Sequence, residues 1–175
     1  MHIFLEAPSG RRRKEFLAAV VRSRDLHRHW VAPPHTTVEF DAYMARVKQP
    51  THIAYWICTR SGDLAGAIHI SEIVRGSFQS GYLGYYAFAP HQGHGYMREG
   101  LSAVISRVLR AHGLHRLEAN IQPDNEASLR LIRRLLFQRE GFSRRYLKVA
   151  GRWRDHERWA LRVEDWRARR KEQIG

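Results

Sequence analysis

The stretch Pro90-His91-Gln92-Gly93-His94-Gly95-Tyr96-Met97-Arg98 decides the reading of this chain, because it joins a predicted strand to a long predicted helix. Glycines at 93 and 95 let backbone N–H groups approach a ligand with no Cβ in the way. The helix behind them adds unpaired first-turn N–H groups and the positive end of its dipole. Such a turn suits a pyrophosphate, although a short Gly-x-Gly also serves as a plain strand-to-helix turn. The Gly-x-Gly-x-x-Gly spacing of a dinucleotide fold is absent, as is the Gly-Lys-Ser/Thr of a nucleotide P-loop.

Working outward, Ser80 to Phe88 upstream of the glycines reads as a strand that ends before Pro90. Two β-rich runs before it, His52–Thr59 and Leu64–Ile70, flank Ser61-Gly62-Asp63 and predict a hairpin. Further back, Phe16, Leu17, Val20 and Val21 predict an inward helical stripe after a short Ile3–Leu5 strand, and Thr37 is the expected cap of a second helix ending before Pro50. Downstream, Met97, Leu101, Val104, Ile105, Val108 and Leu109 make one apolar stripe, stopped at Gly113. A strand over 115–121, a turn and cap at Pro123-Asp124-Asn125, a helix over 127–137, and strands over 146–149 and 159–163 complete the chain. The order β-α-α-β-β-β-α-β-α-β-β predicts an α/β fold in which one mixed sheet carries helices on its faces. We expect one domain over 1–175, with its core at about 3–163 and a basic tail over 164–175.

At 43% hydrophobic and 27% charged residues, the 175-residue chain has the composition of a globular protein. No apolar run approaches the ~20 residues that span a bilayer, and Met1 to Glu6 is too short and too soon charged for a signal peptide. The single cysteine, Cys58, sits in a predicted buried strand and has no Cys partner, so the expected compartment is the cytoplasm. With 30 Lys+Arg against 17 Asp+Glu, the net charge of +13 favours polyanionic partners: nucleic acid or a ribonucleoprotein surface, anionic membrane, or a phosphorylated small ligand. The cations from Arg130 onward are interrupted by Glu140, Asp155 and Glu157, which also fits an ordinary mixed-charge surface. Arg11-Arg12-Arg13-Lys14 could touch phosphates, and an exposed first helical turn explains it as well.

Gln92 and Gly95 give the central segment the Q/R-x-x-G-x-G/A pattern, and in this it resembles the GNAT acetyltransferase superfamily. Asn125-Glu126-Ala127-Ser128, Glu140-Gly141-Phe142-Ser143-Arg144-Arg145-Tyr146-Leu147 and Gly151-Arg152-Trp153-Arg154-Asp155-His156 are similar to segments of the RimJ/RimL branch, which acetylates ribosomal-protein N-termini. Two positions depart from the pattern: Met97 stands where the signature has Gly or Ala, and Leu136 where a glycine precedes Phe137.

The resemblance implies a mostly antiparallel twisted sheet with helices on both faces, acetyl-CoA as cosubstrate, no metal, and transfer of an acetyl group to a primary amine. It implies that Gln92, Gly93, His94, Gly95, Tyr96, Met97 and Arg98 bind the pyrophosphate, that Tyr86, Ala87 and Phe88 lie along the pantetheine arm, and that Asn125 hydrogen-bonds it. It makes Glu118 the candidate base and Ser128 the donor to the leaving thiolate, since the tyrosine that serves many relatives falls at Ile132. The residues alone also allow Glu118 as a strand residue salt-bridged to Arg116, and Ser128 as a first-turn hydroxyl.

None of the eleven histidines stands at a zinc-protease spacing, so no metal site is expected. The expected acceptor is a protein N-terminus held between His27-Arg28-His29-Trp30 and Gly151-Arg152-Trp153-Arg154, with ribosome or nucleic-acid association through the basic surface and no membrane partner. Two alternatives stay open: a small-molecule amine as acceptor, polyamine being disfavoured by the positive charge, and a non-catalytic nucleic-acid or ribosome-binding module on the same fold.

Overall fold

The computed structural model describes residues 2–172. Among them, strands β1 (Ile3–Glu6), β2 (Ile53–Thr59), β3 (Leu64–Val74), β4 (Ser80–Ala87), β5 (Arg116–Ile121), β6 (Gln138–Val149) and β7 (Arg152–Arg162) form one sheet in the order β1-β2-β3-β4-β5-β7-β6. Every neighbouring pair is antiparallel except β4 and β5. Helices α1 (Arg13–Arg22), α2 (Arg24–His27) and α3 (Thr37–Arg46) lie on one face, and α4 (Tyr96–Ala111), α5 (Glu126–Arg134) and α6 (Val163–Glu172) on the other.

Alternation along the strands sorts the core into two layers. On the α4 side, Leu101, Val104, Ile105 and Val108 bury the predicted stripe against Ile68, Ile70, Leu117 and Leu161. Phe16 centres the opposite layer, its ring 5.3 Å from those of Phe40 and Trp56 and 5.5 Å from that of Phe88. Leu17 is only partly buried and Val21 is 47% exposed, so the inward stripe of α1 is narrower than its sequence implies.

Several element ends differ from the sequence reading, each for a local reason. Thr36, not Thr37, caps α3, its side chain accepting from the Glu39 N–H while the Glu39 carboxylate accepts from the Thr36 N–H in a capping box. Helix α5 stops at Arg134 because Leu136 takes φ +69°, which lets the Leu136 and Phe137 N–H groups close back on Arg133 and Ile132 carbonyls. Part of the expected basic tail is helix α6, docked by the buried Trp166, whose Nε1 donates to Ser106 at 3.2 Å; residues 173–175 lie outside the described residues. Arg12 is no free surface cation: its guanidinium donates to Glu6, to both Glu15 oxygens, to the Gly62 carbonyl and to Cys58 Sγ, tying β1 to the β2–β3 turn.

Candidate active site

The parallel pairing of β4 with β5 runs only from Ser80–Arg116 to Tyr82–Glu118 and then ends. Beyond it β4 stays paired with β3 as far as Ala87, and β5 with β7 as far as Ile121. The two strands therefore part, and the edges over 83–87 and 119–121 face each other without a shared ladder. A cleft of roughly 870 Å3 lies on the β4 side of this gap, lined by Tyr85, Tyr86 and Ala87 and by the start of α5, within the 300–1,000 Å3 typical of ligand sites.

At one end of the cleft stands the glycine-rich turn. Gly93 and Gly95 have φ +81° and +80°, a left-handed backbone that side chains resist, and a Cβ on either would project into open space. Gly95 is the N-cap of α4 and brings no capping side chain, so the first-turn N–H groups of α4 are left for a ligand. An anionic pyrophosphate fits this arrangement in charge and in donor supply. His94 Nδ1 lies 3.0 Å from the Gln92 carbonyl and its ring stacks on Tyr96, which fixes the turn.

Gln92, Gly93, His94, Gly95, Tyr96, Met97 and Arg98 all border the cleft, with Tyr86, Ala87, Asn125 and Ser128. Asn125 caps α5, its Oδ1 accepting from the Ser128 N–H at 3.2 Å, so its side-chain oxygen already holds the helix start. The Ala87 carbonyl is likewise engaged, 2.8 Å from His27 Nε2. Phe88 does not line the cleft: its ring is wholly buried, its N–H donates to the Ala65 carbonyl and its carbonyl accepts from the His91 N–H. That corrects its expected place along a ligand arm.

Glu118 stands apart from the cleft lining, at the vertex where the strands separate. Its Oε1 accepts from Arg116 Nε at 2.9 Å, and the same guanidinium forms a two-pronged contact with Glu140. Glu118 thus has the salt bridge that the sequence allowed, while its side chain stays 25% exposed on the face opposite α4. Glu118 and Ser128 consequently approach the junction from different sides of the sheet.

Neighbouring groups are shaped by burial. Desolvation, with the charge of Glu118 and a contact to Tyr146 behind it, holds the Tyr82 phenol above its ordinary value. Burial raises Tyr85 still further, and its hydroxyl donates to the Ser128 carbonyl at 3.5 Å. Desolvation lowers His27, and pushes His69 down to about 4 with help from Arg46 and His52. Tyr85, one of the strand aromatics, borders the cleft, and Ala65, Arg130, Leu131 and Arg134 border it without having been singled out; the α5 residues follow the cap at helical spacing, and that spacing is the signal that points to them. Among the described residues there is no group of His, Cys, Asp and Glu placed to hold a metal, and no helix is long and apolar enough to cross a membrane.

The chain has relatives of known or inferred activity. It is 42% identical over 104 residues to the [Ribosomal protein uS5]-alanine N-acetyltransferase of Escherichia coli (strain K12), covering 59% of this chain and 54% of that protein. It is 32% identical over 120 residues to the probable N-acetyltransferase YjcK of Bacillus subtilis (strain 168), covering 68% and 66%. The alignments thus span between about half and two thirds of these relatives. In fold it is similar to the ribosomal-protein-S5-alanine acetyltransferase from Vibrio fischeri (TM-score 0.82, 24% identity, 95% and 96% covered). It is also similar to Mycobacterium smegmatis RimJ in complex with CoA-disulfide (TM-score 0.83, 23% identity, 93% and 83% covered). Residues 2–138 match the model of the acetyltransferase (GNAT) domain, the parted strands and glycine cradle lie within that match, and the chain belongs to this family.

Proposed function

We propose that the protein is an acetyl-CoA-dependent N-acetyltransferase whose acceptor is a protein N-terminal α-amine. The observation that carries this is the parting of β4 from β5 beside the α4 cradle, which offers an extended acyl carrier a strand edge for its amides and a helix start for its phosphates. The choice of acceptor draws on the relatives, two of which are named for alanine acetylation on ribosomal protein uS5 or S5. Acceptors of that kind are met in the cytoplasm, where we take the enzyme to work, as one acetyltransferase domain over residues 1–175.

The coenzyme supplies the acetyl group as a thioester. Residues 92–98 hold its pyrophosphate, and the edge over 83–87 aligns its arm. An α-amine has a pKa of about 7.7–8.0 and must be neutral to attack. Glu118 takes the proton the amine gives up, directly or through water, and Arg116 fixes the carboxylate for that task. The new C–N bond replaces the C–S bond, and the Ser128 hydroxyl, carried at the start of α5 on the cleft wall, donates to the departing sulfur.

Mass spectrometry tests this by comparing a peptide with a free N-terminus, the same peptide blocked there but containing lysine, and a panel of small amines. Acetylation of the free N-terminus is expected. Activity on the blocked lysine peptide overturns the α-amine assignment, and activity confined to small amines moves the enzyme to the other acceptor class.

A further inference from the structure

Strand β7 carries Arg152, Arg154 and Arg158 at even spacing, with His156 between them. Side chains two apart in a strand share a face, and directly paired residues of neighbouring strands share one too. Ala160 pairs with Glu118 and Arg158 with Asn120, and the pairing of β5 with β7 is unbroken. The irregularities between β6 and β7 all insert residues into β6, so the alternation along β7 continues to Arg152. The three arginines therefore form one row on the face that presents Glu118 and Asn120, leading outward from the junction.

The carboxylates nearby are already engaged. Glu140 is held by Arg116, Glu157 by Arg139 and the Trp159 indole, and Asp155 accepts from the Arg145 N–H. Arg158 lies over Gly141 and lends its field to Glu140 without bonding it. Among the described residues Arg152, Arg154 and Arg158 have no ion pair. Two sheltered atoms on this face also lack partners: Arg154 Nε, a donor, and Asn120 Oδ1, an acceptor. An extended polypeptide with acidic side chains gives its carboxylates to the exposed guanidinium ends of the arginines.

We propose that this arginine row reads acidic side chains in the acceptor polypeptide, downstream of the N-terminus that is acetylated; the inference rests on the α-amine reading above. With a strand rise of about 3.3 Å, an extended acceptor whose amine lies at Glu118 reaches Arg158 near its third residue and Arg154 and Arg152 near about its seventh to ninth. A nucleic acid suits the row less well. The exposed Trp153 and Phe142, suited to base stacking, alternate onto the opposite face.

The test measures steady-state acetylation of peptides with one shared N-terminal dipeptide and Glu, Gln or Lys at the third and the seventh to ninth positions. The Glu series is expected to show a KM about tenfold below the Lys series, with the gap closing in high salt. Charge reversal in Arg152→Glu/Arg154→Glu is expected to invert that preference, which damage to the fold does not do, and Arg154→Lys to retain it. The melting shift on adding acetyl-CoA verifies that each variant is folded. A KM independent of peptide charge overturns this inference while leaving the α-amine reading intact; failure of every free-N-terminus peptide alongside an active small amine sinks that reading instead. Single-stranded RNA that binds through the same arginines, with peptide charge without effect, assigns the row to nucleic acid and rejects the proposal.

Discussion

The His69 imidazole packs onto Gly84 across the β3–β4 pair so closely that a Cβ at residue 84 would collide with Nε2, Cε1 and Cδ2 of the ring. Gly84 is thus a space requirement set by its neighbour, within the parted edge of β4. Gly84→Ala is expected to cost about 1–3 kcal/mol by overpacking, and His69→Ala in the same chain to relieve part of that loss. Urea unfolding of the two single variants and the double variant measures the coupling.

The same histidine makes stability depend on pH. Its folded value of about 4 lies below the ordinary one near 6.5, so between these values the unfolded chain binds the extra proton. Stability is therefore complete well above pH 6.5 and falls as the pH drops toward 4, by about 3 kcal/mol from His69. His27 and His156, also lowered by burial, act in the same direction. His69→Gln is expected to flatten the slope of unfolding free energy between pH 4.5 and 6.5, and an unchanged slope would assign it to other groups.

Saturating acetyl-CoA at about a hundredfold over its Kd adds about 2.7 kcal/mol, or about 5–10 °C in Tm for a chain of this size. Gly95→Val is expected to remove that shift, because a β-branched residue resists φ +80° and its methyls enter the cradle. A wild-type Tm unmoved by acetyl-CoA contradicts the cradle.

Asn125 and Ser128 separate capping from chemistry. Asn125→Ala is expected to cost about 1 kcal/mol of stability through loss of the α5 cap, whereas Ser128→Ala lowers kcat with little change in coenzyme affinity. Glu118→Gln is expected to depress turnover most near neutral pH and to recover in part at high pH, where the amine is already neutral. A loss uniform across pH would make Glu118 a structural partner of Arg116 only.

Leu136 holds φ +69°, a conformation that costs an L-residue about 1–2 kcal/mol, while its side chain packs against the core edge. Leu136→Gly relieves the first and forfeits the second. A net change within about 1 kcal/mol is expected in chemical unfolding, well below the usual cost of truncating a packed leucine.

The parts of this molecule governed by local pattern were legible in the sequence. The apolar stripe of α4 and the strands flanking Gly62 depend on residues close together in the chain, and Asn125 advertised its capping role through side-chain chemistry. Phe88 could not be placed by the same means, since alternation gives two faces without telling which one meets Phe16. Helix α6 reads as tail because its sequence is charged and its indole anchor, Trp166, finds its partner Ser106 sixty residues away. The arginine row was hidden for a related reason: Arg152, Arg154 and Arg158 read as scattered cations until the pairing of β7 with β5 put them beside Glu118.

A strand edge exposed on the outside of a protein invites a second molecule to pair with it, and so threatens solubility. The outer edges here are blunted: β1 has only four residues, and β6 is broken by bulges about Glu140 and before Leu147. The inner edges beyond Tyr82 and Glu118 need a different protection, which they give each other by facing across the wedge. A single inserted strand requires about 9–10 Å between its neighbours. A folded protein cannot thread its own sheet into such a slot, while a slender unbranched chain can. The opening therefore stays receptive to its ligand without becoming a seed for self-association at the concentrations at which bare sheet edges aggregate.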